Sequence, residues 1–142
     1  MMAVAHVLKT IADDKSLVLL NTIALSNGDS DNRIRTLHLT RKQYYARLSA
    51  LLKAGLVKRE MAKYYLTTFG LILYHAQEII GNALNQHWKL KAIDSINVTC
   101  RDELPQFHKI IDTLITNQEI KNILLQQIKE KSSKSQVKMI TI

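Results

Sequence analysis

Apolar residues recur along this chain at intervals of three and four, the spacing of one face of an α-helix. Val4, Val7, Leu8 and Ile11 form the first such stripe. A second helix is expected after the Asp13/Asp14 pair, because a carboxylate there can cap free N–H groups and oppose the helix dipole. Leu17, Leu20, Ile23 and Ala24 would be its buried side. The run SNGDSDN, Ser26 to Asn32, is turn chemistry. A short helix over Asp31 to Leu37 follows, with Ile34 and Leu37 inward. Thr40 and Gln43 then make a T-x-x-Q capping box that opens a helix to about Ala54. Tyr44, Leu48, Leu51 and Leu52 make its apolar stripe, which leaves Arg41, Lys42, Tyr45, Arg47 and Ser49 on other faces. Gly55 stops it as a left-handed cap. In LVKREMAKYYLT the period shortens to that of strands, interrupted around Glu60 to Ala62, and a β-hairpin is the reading.

Helical spacing returns after the hairpin. Thr67 or Thr68 should cap a long helix bearing Phe69, Ile72, Leu73, Ala76, Ile79, Ile80 and Ala83, and running to Trp88 or Leu90. Ile93 and Ile96 precede a loop expected at Asn97 to Arg101. A helix after Pro105 presents Phe107, Ile110, Ile111 and Leu114, and a second capping box, Thr116 with Glu119, opens one burying Ile120, Ile123, Leu124 and Ile128. Lysine and serine dominate from Lys129 to Lys138, so a mobile basic tail is expected at the end.

Charge changes the picture once it is divided by segment. Residues 1–32 carry a net −2 and residues 68–131 balance to zero, whereas residues 33–67 hold nine bases against Glu60 alone. A segment that lopsided suits a polyanion, since each neutralised phosphate releases condensed counterions. The 142 residues, 46% hydrophobic, are enough for one core, or one small domain plus a helical element, and exclude a large multi-domain enzyme. Cys100 is the single cysteine, and no signal-peptide pattern or long apolar run occurs. A soluble, cytoplasmic protein with no membrane partner is the expectation.

The order helix, turn, short helix, LHLT, helix ending in LLKAGLVKR, then YYLT resembles a winged helix-turn-helix domain of archaeal and bacterial transcriptional regulators, similar to the ArsR and MarR groups. LTRKQYYARLSALLKAGLV with the following LTTFG is most similar to the archaeal members. The resemblance covers about residues 13–75. It implies a mainly α fold with a small β-hairpin wing and a winged helix-turn-helix domain over 1–75, to which the apolar surplus and the basic end, read from the residues, add a helical dimerisation extension over 76–131 and a mobile tail over 132–142. It implies further that the helix 40–54 enters the major groove of double-stranded DNA and that the wing, about 56–67, lies on the backbone. Arg41, Lys42, Gln43, Tyr45 and Arg47 would then contact DNA from the helix, and Lys58, Arg59 and Lys63 from the wing. Many relatives have Gly where this chain has His38, at a turn that often needs positive φ. The wing tip also lacks Gly.

Each of these residues has a plainer reading. Arg41, Lys42 and Arg47 are also what a solvated helix face looks like, and Tyr45 could pack on Lys42 rather than touch a sugar or a thymine methyl. A winged helix can also serve as an assembly module in transcription or RNA machinery, its basic face docking an acidic partner. Metal and catalytic chemistry have little to stand on: His6, His38, His75, His87 and His108 are scattered, and there is no CxxC or HxxxH cluster and no glycine-rich phosphate cradle. No cofactor and no enzymatic activity are expected, and nothing in the sequence names an effector. Surplus apolar surface after Thr68, with help from Val4, Val7 and Leu8, points to a homodimer.

Overall fold

A computed structural model of the chain describes residues 3–26, 37–99, 104–127 and 130. It is mainly helical with one two-stranded antiparallel hairpin. The elements are α1 (Val4–Ile11), α2 (Asp14–Ser26), α3 (Arg41–Lys53), β1 (Val57–Glu60), β2 (Lys63–Leu66), α4 (Thr68–Asn85), α5 (His87–Thr99) and α6 (Leu104–Leu114), with further helix at 118–127. The expected turn at Ser26 to Asn32 and the expected short helix before Leu37 fall almost entirely outside the described residues. So do Ile128 and the basic tail. Two compact units divide the chain, Met1–Gln77 and Glu78–Ile142, with the boundary inside α4.

The first unit is organised by α2, which packs against α1, α3 and β2. Its core joins Val7, Leu19, Leu20, Ile23, Leu37, Leu39, Tyr44, Leu48, Leu51, Leu56 and Val57. Leu19 and Leu20 sit deepest on α2, while Leu17 is only half-buried, so the buried stripe is rotated from the expected one. Val7 is the one fully buried residue of α1, so it belongs to this core and cannot also serve an intermolecular face.

Local chemistry sets both ends of α3. Thr40 Oγ1 accepts from the Gln43 amide and Gln43 Oε1 accepts from the Thr40 amide, each at 3.2 Å, so the reciprocal box is complete. His38, just upstream, takes a φ of 51°, the left-handed conformation its position suggested. At the far end Gly55 has φ 76°, with its N–H on the Leu52 carbonyl and the Leu56 N–H on the Leu51 carbonyl. This is a Schellman cap, and its hydrophobic partners Leu51 and Leu56 are both fully buried. In the hairpin Val57 faces Leu66, Lys58 faces Tyr65, Arg59 faces Tyr64 and Glu60 faces Lys63. Met61 and Ala62 alone form the turn, with φ 51° and 62°, the conformation of a type I′ loop without its usual glycine.

Thr67 caps α4: its hydroxyl accepts from the Gly70 amide at 2.9 Å and donates to the Gly55 carbonyl. The second unit has a separate core of Ile93, Phe107, Ile111, Ile115 and Ile120, with α5 packed on α6. Three expectations are corrected here. The long helix stops at Asn85 and a new one starts at His87, with the Gln86 N–H shared between the Asn82 and Ala83 carbonyls, although no glycine or proline marks the break. Asn97 to Thr99 is helix rather than loop, because α5 runs through Thr99. The cap before the 118–127 helix is Asn117, not Thr116, since Asn117 Oδ1 accepts from the Ile120 amide at 3.1 Å; with the helix phased that way, Ile123 points outward.

Candidate functional site

The side chains of α3 divide by the helical repeat of about 100° per residue. Tyr44, Leu48 and Leu51 point into the core. Diametrically opposite lie Lys42, Ala46, Ser49 and Lys53, all exposed. Two bases therefore flank two small residues along the outermost line of the helix, a profile that lets another surface approach the backbone closely. Arg41 and Gln43 are exposed in the first turn, and Gln43 has committed its oxygen to the capping box, which leaves its amide hydrogens as donors. Tyr45 is exposed and meets Tyr44 edge-on, ring centroids 5.2 Å apart.

Arg47 is placed differently from the other bases. It sits on the flank of α3, its side chain 27% exposed, and its Nε donates to Asp13 Oδ2 at 2.6 Å. Asp13 precedes α2, where the same oxygen accepts from the Ser16 amide at 3.2 Å and the Ser16 hydroxyl at 3.0 Å. The hydrogen bond from Arg47, then that from the Ser16 hydroxyl, holds the Asp13 carboxyl below its ordinary range.

The hairpin sorts its charges by pleat. Val57, Arg59, Tyr64 and Leu66 share one face, and Val57, Tyr64 and Leu66 pack on the core, so Arg59 continues the inner face toward the tip and lies over the Tyr64 ring, 6.0 Å from its centroid. Lys58, Glu60 and Lys63 share the other face, and Lys58 Nζ meets Glu60 Oε1 at 3.2 Å. Met61 at the tip is 97% exposed.

Of the bases proposed from sequence, Arg41, Lys42 and Lys63 pair with no carboxylate among the described residues, whereas Arg47 and Lys58 do. The sequence reading gave no role to Lys53 or Ala46, and placed Ser49 off the apolar stripe without aligning it with Lys42. Stepping four, seven and eleven residues from Lys42 finds all three. It also passed over Asp13 as a partner of Arg47, for which no local signal exists.

Among the described residues no three His, Cys, Asp or Glu side chains gather as a metal site, and no helix is long and apolar enough to cross a membrane. The second unit has an open cleft of about 570 Å³ lined by Ile96, Gln106, Lys109, Ile110, Thr113 and Leu114, in which the Thr113 hydroxyl is already bonded to the Lys109 carbonyl. No protein-family model matches the chain, and no curated protein or solved structure matches it either.

Proposed function

We propose that the chain is a DNA-binding transcriptional regulator whose first unit acts as a winged helix-turn-helix, with α3 as the reading helix and the β1–β2 hairpin as the wing. The observation that supports this reading is the outer face of α3, where Lys42 and Lys53 flank Ala46 and Ser49 opposite the buried stripe, followed at once by a hairpin bearing Lys58, Arg59 and Lys63. A helix with small residues along its outermost line and bases at both ends suits the floor and walls of a major groove. A short basic hairpin suits the sugar-phosphate backbone.

The reading includes a homodimer. Phe69, Ile72, Ile80 and Leu84 are exposed on α4, whose 18 residues contain a single charged side chain, Glu78. Sedimentation at high micromolar concentration tests it, and a monomer there would exclude it.

The test of DNA binding is affinity for random-sequence duplex measured across salt concentrations. A polyelectrolyte contact gives a linear log–log plot, each phosphate contributing a slope of about −0.9. Lys63→Ala should flatten that slope by about one unit. A chain whose binding is insensitive to salt, or which does not bind duplex at all, would leave docking on an acidic protein partner as the better account of the basic face.

A further inference from the structure

The Asp13–Arg47 contact sets an arginine of α3 apart from the other bases of that helix. Asp13 is fixed from its own side by two hydrogen bonds from Ser16, a residue only 5% exposed, so the carboxylate has little freedom to follow Arg47 outward. Among the described residues Arg47 is bonded through Nε alone, to Asp13 at 2.6 Å. A guanidinium held at Nε is anchored at its elbow, and its two terminal amino groups remain as a planar fork of donors. An ion pair this open to water contributes little to stability. Its effect is instead to restrict the orientation of a long, rotamer-rich side chain.

We propose that Asp13 is a positioning residue, which orients the Arg47 fork for a guanine edge in the major groove, where arginine bonds O6 and N7 together. The proposal rests on α3 being the reading helix. Asp13 itself touches no base. An acidic group at a surface that meets phosphates is repelled by them, so Asp13, which also caps α2, opposes binding by its charge.

That conflict gives the two possible roles opposite signs. If Asp13 is only a surface charge, Asp13→Asn strengthens binding to every duplex. If it positions Arg47, the same change weakens binding to the preferred site while random duplex is bound as well as before or better. Asn caps a helix as well as Asp does, so the variant keeps the start of α2.

The experiment selects the preferred duplex from random-sequence oligonucleotides and compares it with random duplex, for the full-length chain and for Asp13→Asn and Arg47→Lys. A third duplex carries 7-deazaguanine, which lacks the N7 acceptor, at each guanine of the site in turn. Both variants should bind the preferred site about five- to tenfold more weakly, with random duplex unaffected or improved. One 7-deazaguanine position should weaken the wild-type chain and not weaken the variants further. If Asp13→Asn strengthens both duplexes, or weakens both equally as a phosphate clamp would require, the positioning role is wrong although α3 can still be the reader. If the wild-type chain prefers no sequence, the reading of α3 falls and this proposal falls with it.

Discussion

Gly70 and Leu56 meet backbone to backbone: α4 crosses the entry to β1 so closely that a β-carbon at residue 70 would overlap the Leu56 carbonyl oxygen. Gly81, in the same helix, has nothing within 4 Å of where its β-carbon would stand. Identical substitutions should therefore have opposite signs. Gly81→Ala gains helix propensity and should stabilise by about 0.5–1 kcal/mol. Gly70→Ala makes the same gain but must displace main chain, and a net loss of about 1–3 kcal/mol is expected. All five tyrosines lie in the first unit and the single tryptophan, Trp88, in the second, so tyrosine and tryptophan fluorescence in urea report the two changes separately.

The wing tip holds two non-glycine residues in left-handed backbone. Ala62→Gly should relieve one of them and stabilise the first unit by about 1 kcal/mol, as read from its urea midpoint at unchanged slope. A midpoint that stays in place would mean that the Met61–Ala62 turn is not strained.

Acid sensitivity should trace in part to Asp13. Arg47 and Ser16 depress its carboxyl in the folded chain, so its contribution to stability is present above the ordinary carboxylate range and is lost as pH falls through the depressed folded value. Asp13→Asn should make the first unit's stability fall less steeply below about pH 4. Lys121 and Asp112, 2.9 Å apart, act with the same sign in the second unit and should leave the tryptophan-detected acid limb unchanged in that variant.

At the start of the 118–127 helix the choice between neighbouring caps is decisive. Asn117→Ala should destabilise the second unit by about 1 kcal/mol, and Thr116→Ala by much less. Tryptophan-detected thermal unfolding of the two variants distinguishes them, and equal losses would contradict the Asn117 cap.

What could be read in advance was chemistry that acts over a few residues. The Thr40–Gln43 box, the Gly55 cap, the left-handed His38 and the two-stranded hairpin all depend on partners at most nine positions away or on the conformation of one residue. The Asp13–Arg47 bond spans 34 positions, and no local pattern singles out that carboxylate among the acids of the first segment. Thr116 and Asn117 were both chemically competent caps, and the bond from the Ile120 amide to Asn117 Oδ1 decides between them. The break at Gln86 was hidden because the apolar spacing continues through it without a glycine or a proline.

Leu56 has one more consequence, for the order in which the chain acquires structure. Its N–H closes the end of α3, its carbonyl receives the Thr67 N–H, and the same carbonyl meets Gly70, so a helix end, a hairpin and a helix start converge within the segment from Leu51 to Gly70. Closing so short a stretch of chain costs little entropy, whereas bringing α2 onto α3 and β2 closes longer loops. Contacts of such short range form early. The hairpin and its two flanking helix ends should thus be the part of the first unit with the highest φ-values, the template onto which α2 later docks.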